Sequence, residues 1–163
     1  MQQRCYIATM TPEDLLGTRL RHVLELMDGA VADVYRDLGL PGFRPRYTPI
    51  LRLIDAEGPQ SIRDLATATG VTHSAASQTV AQLVKDGYLE LWAGTDARRR
   101  IAHLTDKARD VLPVLDREWR ATTAAARELE AELPFPISTL LTAITEALAA
   151  RPFHERVTSH LRR

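Results

Sequence analysis

The chain has 163 residues, with 21 lysines and arginines against 21 aspartates and glutamates, so its formal net charge is zero. That length fits one domain, or a small domain with a helical extension, and can bury a core without disulfide or metal staples. The single cysteine, Cys5, excludes an intrachain disulfide and points to a reducing, cytoplasmic setting. No apolar run approaches about 18 residues, which excludes a membrane-spanning helix, and residues 1–11 do not read as a signal peptide.

In chain order, Thr11-Pro12-Glu13-Asp14 predicts a helix start, with Thr11 as cap, Pro12 preset for the first turn and two acids at the positive dipole end. Leu16, Leu20, Val23, Leu24, Met27, Val31, Val34 and Leu38 then recur at steps of three and four, which makes one apolar stripe ending before Gly39. A helix of roughly 40 Å, at ~1.5 Å per residue, is too long for a small domain to cover alone. It needs a partner distant in sequence or in another chain.

Thr48-Pro49 repeats the cap-plus-proline signal and opens a short helix that Gly58-Pro59 ends. Ser61 caps the next helix, with Asp64 at the capping-box position and Ile62, Leu65 and Ala66 facing inward. That helix stops at Gly70, and Thr72 caps a fourth, running to about Asp86 with Ala76, Val80, Leu83 and Val84 on its inner side. After Gly87 the period changes. Tyr88–Trp92 and Arg100–Leu104 read as two strands of a hairpin. Thr105-Asp106 opens a long helix in which Pro113 predicts a kink or one lost backbone bond. A helix after Pro134-Phe135-Pro136 and a short one after Arg151-Pro152 complete the chain.

The informative unit runs from Ser61 to Leu104: helix, tight glycine-containing turn, helix, then hairpin, which is a helix-turn-helix with a wing. The outer face of its second helix is small and polar: Thr72, His73, Ser74, Ser77 and Gln78. Short hydroxyls, an imidazole and an amide can approach base edges and phosphates closely, whereas most polar helix faces are simply solvated. The hairpin tip carries Asp96, Arg98, Arg99 and Arg100. Arginine on a protrusion suits the strongly negative minor groove, and an aspartate nearby can orient one guanidinium through a bidentate pair. Either feature alone has an ordinary explanation; together they point to double-stranded DNA.

These residues resemble the MarR family of bacterial winged-helix transcription regulators. The similarity is carried by Ser61-Ile62-Arg63-Asp64-Leu65-Ala66, by Gly70-Val71-Thr72-His73-Ser74-Ala75-Ala76-Ser77-Gln78, by Lys85-Asp86-Gly87-Tyr88-Leu89 and by Asp96-Ala97-Arg98 ahead of Leu104-Thr105. The resemblance implies a mainly α fold with a small β-hairpin wing. It divides the chain into an N-terminal long helix and loop (residues 1–46), a winged helix-turn-helix DNA-binding lobe (47–104) and C-terminal helices (105–163), the first and last parts forming a helical dimerisation region. It further implies a homodimer on a pseudo-palindromic operator, with Thr72 to Gln78 in the major groove, Arg98 in the minor groove and Asp96 as its acidic partner. A small-molecule effector and repression would follow by the same resemblance.

The sequence departs from the family pattern at Gln78, where arginine is frequent, at Ala75, where a hydroxyl residue is frequent, and at Ala108, where glycine is common. With no lysine or arginine on the second helix before Lys85, the bidentate guanine contact is missing and Gln78 suits adenine. Two alternatives stand beside this reading. One is a winged helix that docks a protein instead of DNA; the other is a redox-sensing regulator in which Cys5, beside Arg4, is the sensor, against the simpler reading of an exposed thiol. The five histidines, His22, His73, His103, His154 and His160, are not spaced as metal ligands, so no metal or cofactor is expected. Trp119, His22 and Met27 fit core or interface positions as well as a ligand cavity. No phosphate-cradling loop or nucleophile elbow suggests an enzyme.

Charge is unevenly placed. Residues 60–105 hold Arg63, Lys85, Arg98, Arg99 and Arg100 against Asp64, Asp86, Glu90 and Asp96. The lobe is barely basic, and its positive charge is concentrated in the hairpin.

Overall fold

A computed structural model of the chain describes residues 11–93 and 100–162; Cys5, Asp96, Arg98 and Arg99 lie outside the described residues. Seven helices and three short strands occur among them: α1 (Leu16–Asp37), α2 (Tyr47–Glu57), β1 (Gln60–Ser61), α3 (Ile62–Thr69), α4 (His73–Lys85), β2 (Leu89–Ala93), β3 (Arg100–Leu104), α5 (Asp106–Glu132), α6 (Ile137–Ala150) and α7 (Phe153–Leu161). The chain forms two compact units, one up to Trp119 and one from Arg120 onward.

In the first unit, Tyr35, Phe43, Tyr47, Ile50, Leu51, Ile54, Leu65, Val80, Leu83, Leu89, Ala102, Ala108 and Leu115 form one buried core. Phe43 sits at its aromatic centre, edge-on to Tyr35, Tyr47 and Tyr88 with ring centroids 4.8, 5.3 and 5.4 Å away. Of α1, only Tyr35 is buried. Among the described residues of this unit the expected stripe from Leu16 to Met27 is left open: Leu20, Val23 and Leu24 are about half exposed or more.

The start of α1 differs from expectation. Thr11 and Asp14 do form a reciprocal cap, with the Asp14 carboxylate 2.8 Å from the Thr11 amide. The turn they close is bonded three residues apart, from Asp14 to Thr11 and from Leu16 to Glu13, and the α-helix begins only at Leu16. Thr48, by contrast, is not a cap. The second helix begins at Tyr47 after Arg46, and the Thr48 side chain is buried in a hydrogen bond to Tyr35.

Three other local signals hold, at Ser61, Gly70 and Thr105. Ser61 caps α3 by accepting from the Asp64 amide at 3.2 Å and donates its hydroxyl to the Asp64 carboxylate at 2.6 Å. Gly70, at φ +69°, closes α3 in the left-handed region that favours glycine. Thr105 caps α5 through the Ala108 amide while donating to the Gly87 carbonyl. Helix α5 continues through Pro113 without interruption. Val84, expected inside, is exposed, and Thr79 takes the buried place instead.

The hairpin strands pair antiparallel from Leu89 opposite Leu104 to Ala93 opposite Arg100. Strand β1, which the sequence reading lacks, pairs with β3 through Gln60 opposite Ala102 and Ser61 opposite Ile101, giving the sheet order β1-β3-β2.

In the second unit, Glu130 accepts from the Ser138 amide at 2.6 Å and so caps α6 from the preceding helix. Arg156 donates to the Arg151 and Ala147 carbonyls and fixes the corner between α6 and α7. Neither α6 nor α7 has a buried residue. Leu140, Leu141, Ile144 and Leu148 form an exposed apolar row on α6, and Phe153, Val157 and Leu161 extend exposure along α7. Among the described residues no single helix is long and apolar enough to cross a membrane.

Candidate nucleic-acid interface

Helices α3 and α4 are joined by Gly70, Val71 and Thr72 alone, so the second helix leaves the first at a fixed angle. The Val71 amide returns to the Ala66 carbonyl at 3.1 Å, and Thr72 accepts from the Ala75 amide at 3.2 Å. The Thr72 hydroxyl is therefore a helix cap as well as a candidate phosphate contact. The inner side of α4, Ala76, Thr79, Val80 and Leu83, is buried. At about 100° per residue, Ser74, Gln78, Ala81 and Lys85 occupy the opposite, outward side, and all four are exposed. His73 is exposed and Ser77 half-buried on the flank. Thr72, His73, Ser74, Ser77 and Gln78 thus belong to one helix start and its outer face.

The far end of α4 is anchored at Asp86. Its carboxylate accepts from the Tyr47 hydroxyl at 2.7 Å and from the Gln82 amide at 2.9 Å. Its backbone carbonyl accepts from Lys107 Nζ at 2.7 Å, and that ammonium lies 4.4 Å from the Tyr88 ring centroid. The Tyr47 hydrogen bond, more than that of Gln82, holds the Asp86 carboxyl below its ordinary value, against some burial. Burial, followed by the Asp86 carboxylate, pushes the Tyr47 phenol up to about 12.

Arg100 is exposed and is the first residue of β3, opposite Ala93. It therefore begins the paired ribbon, as the expected strand Arg100–Leu104 has it, although the sequence also groups it with the tip residues. Its neighbours in that reading, Asp96, Arg98 and Arg99, lie outside the described residues.

A cavity of about 680 Å³ opens behind the α4 outer face. Its wall takes Arg46, Pro49, Arg52 and Leu53 from the α2 end, Ala75 and Gln78 from α4, and Trp119 from α5. Arg52 is ion-paired with Asp116 and lies 5.2 Å from the Trp119 ring centroid. Of the residues weighed for a cavity from sequence, Trp119 lines it while His22 and Met27 do not. Arg46, Arg52 and Leu53 were not legible as lining, since nothing in their spacing relates them to Trp119. Behind the α2 wall, Thr48, Tyr35 and Glu118 form a buried chain. The Tyr35 hydroxyl donates to Glu118 at 2.5 Å, so the Thr48 hydroxyl must donate to Tyr35, also at 2.5 Å. Burial first, then Glu118, raises the Tyr35 phenol well above its ordinary value. Among the described residues no group of three or more His, Cys, Asp and Glu could hold a metal ion.

A helix-turn-helix followed at once by a β-ribbon defines the winged-helix class. Residues 42–100 match the model of the MarR family. Its fold is similar to that of the transcriptional regulator MOSR of M. tuberculosis, solved in complex with DNA, with a TM-score of 0.65 and 21% identity over 83% of this chain and 97% of that one. It is also similar to the PcaV transcriptional regulator of Streptomyces coelicolor, solved with its natural ligand, with a TM-score of 0.60 and 19% identity over 89% and 95% of the two chains. A third similar structure is the organohalide-sensing regulator RdhR in its 2,4-dichlorophenol-bound form, with a TM-score of 0.66 and 17% identity over 93% and 88%. At these identities the likeness concerns the fold. No curated protein matches the chain.

Proposed function

We propose that the protein is a ligand-responsive, DNA-binding transcriptional regulator that acts in the cytoplasm as a homodimer and represses from a pseudo-palindromic operator. The observation that carries this reading is the exposed, small, polar outer face of α4, held between a three-residue turn and a β-ribbon. In this reading Thr72, His73, Ser74, Ser77 and Gln78 meet the major groove. Arg98 enters the flanking minor groove with Asp96 as its partner, and Arg99 and Arg100 add phosphate contacts. The DNA-bound form of the similar MOSR structure supports it.

Dimerisation is supported by apolar surface exposed among the described residues of each unit: the α1 stripe in the first, the rows on α6 and α7 in the second. A second copy would bury them and would set two α4 helices about 34 Å apart, or a multiple of that, on one side of the duplex. The domain division of the sequence reading, a central DNA-binding lobe between two dimerising parts, belongs to this proposal.

The cavity beside Gln78 and Trp119 is the candidate effector site, in keeping with the ligand-bound forms of PcaV and RdhR. Its volume suits a small organic molecule. Occupancy would favour the dimer whose α4 spacing no longer fits DNA.

Selection of binding sites from random duplexes, followed by footprinting at two salt concentrations, tests the proposal. A palindromic, adenine-rich protected site whose affinity falls steeply with salt supports it. A chain that protects no DNA at low salt and instead binds protein would replace it with the docking reading.

A further inference from the structure

Two arginines stand just ahead of the boundary at which the sequence begins the DNA-binding lobe. Arg44 and Arg46 flank Pro45 in the turn that leads into α2. Both are exposed, while the residues on either side, Phe43 and Tyr47, are buried with their rings edge-on at 5.3 Å. The turn between these anchors is closed by the Tyr47 amide on the Arg44 carbonyl at 2.9 Å, and proline fixes its middle. The core therefore sets both arginine backbones, and only the side chains are left to adjust.

Both arginines lie along α4. Arg46 shares the wall of the larger cavity with Ala75 and Gln78. Arg44 stands toward the far end of the helix. There the Asp86 carboxyl is lowered first by its Tyr47 hydrogen bond, then by that of Gln82, and after these by the charges of Arg44 and Lys85. Gln78 and Asp86 are about 12 Å apart along the helix, at ~1.5 Å per residue. At about 100° per residue, Ala75, Gln78 and Asp86 mark the flank of α4 turned toward α2, and His73 and Ser77 mark the other. Arg52, on the same cavity wall, is ion-paired with Asp116. The Asp86 carboxylate is engaged by Tyr47 and Gln82.

We propose that Arg44 and Arg46 form a second phosphate-binding point of the protein, which grips the DNA backbone along the α2 flank of α4, apart from the wing; this rests on the DNA-binding reading above. An α-helix with its side chains is about 10–12 Å across, and the major groove is about 12 Å wide. A helix seated there has phosphates along each flank, so cations fixed beside that flank meet backbone and not bases. Such contacts supply affinity and register without sequence information. The guanidinium fork matches phosphate geometry, and a turn already rigid in the free protein loses little freedom on binding. The pair also changes the charge balance of the interface. Residues 60–105 are barely basic, and these two cations are added to them by the core of the same unit.

The test uses the full chain and the duplex obtained by site selection. Binding is measured across a salt series for the parent chain, Arg44→Gln, Arg46→Gln and the double variant. Each single variant should lose about three- to tenfold in affinity at low salt, equally on selected and scrambled duplexes. The slope of log affinity against log salt should fall by about one per arginine in each protomer. Arg44→Lys and Arg46→Lys, which keep the charge, should restore most of that slope. Arg127→Gln, on α5 in the second unit, removes an equal charge and should leave the slope unchanged. Urea unfolding of the double variant should match the parent, since neither side chain is buried. A steep parent slope that the double variant retains overturns the proposal and leaves the DNA-binding reading standing. A loss of affinity at unchanged slope, or one that lysine does not rescue, overturns it as well. A parent chain without salt-dependent duplex binding overturns the DNA-binding reading, and the phosphate-binding point with it.

Discussion

The Tyr47 hydroxyl donates 2.7 Å to the Asp86 carboxylate, and so ties the first residue of α2 to the residue that closes α4. Orientation of α4 is thereby set from both ends, by the tight turn at Thr72 and by this bond at Asp86. Tyr47 is fully buried, so Tyr47→Phe should cost about 1–3 kcal/mol. The variant has a pH signature. Because the folded state holds the Asp86 carboxyl below its ordinary 3.8, this bond contributes stability above that value and loses it as pH falls through the lowered folded value. The phenol has the opposite sign: its contribution is complete below 10.0 and is lost as pH rises through about 12. Urea unfolding at several pH values should show a weaker acid dependence in Tyr47→Phe than in the parent chain.

The buried Thr48–Tyr35–Glu118 chain predicts an ordered pair of effects. Tyr35→Phe removes one donor to a carboxylate that is 3% exposed and should destabilise by about 1–3 kcal/mol. Thr48→Val leaves the Tyr35–Glu118 bond in place and should cost less. Chemical denaturation of the two single variants and the double variant measures the coupling; equal costs, simply additive, would contradict the ordering.

Gln78 and Arg98 should fail in different ways. Gln78→Ala should relax base preference at one position of the half-site, by about 1–3 kcal/mol against the preferred base. Arg98→Ala should weaken binding at all sites and lower the salt slope by about one charge per wing. Competition binding on selected and scrambled duplexes at two salt concentrations separates the two outcomes. A guanine-anchored site that is indifferent to Gln78→Ala would end the adenine reading.

Leu20 and Leu24, 51% and 59% exposed on α1, should be covered by the second copy. Replacing both with glutamate places two charges in that contact and should yield a monomer by light scattering. The winged lobe should stay folded, since neither side chain belongs to its core. DNA affinity should then fall to the level of a single half-site.

What the sequence disclosed follows from the range of the forces involved. Ser61, Thr72 and Thr105 were readable as caps because each acts within three residues of itself. The helix-turn-helix and ribbon were readable for the same reason, since turn glycines and a change of period are local signals. Thr48 misled because threonine before proline looks like a cap; a partner thirteen residues back, Tyr35, draws its hydroxyl into the core instead. Glu118 lay hidden as one more charge on a polar-rich helix, its partner 83 residues away. The cavity wall is gathered from α2, α3, α4 and α5, and no periodicity in one helix reports that. Strand β1 is two residues long and exists only because β3 lies beside it.

That small strand has a mechanical meaning. Ser61 is at once the cap of α3 and the partner of Ile101 in the ribbon. A tilt of the wing is thus a pull on the first turn of α3, and α3 carries α4 through a three-residue joint. On the proposed reading, α4 and the wing should then move as one lever, with its pivot at the serine. An effector that moves either must move both, so minor-groove and major-groove contacts should be released in the same step.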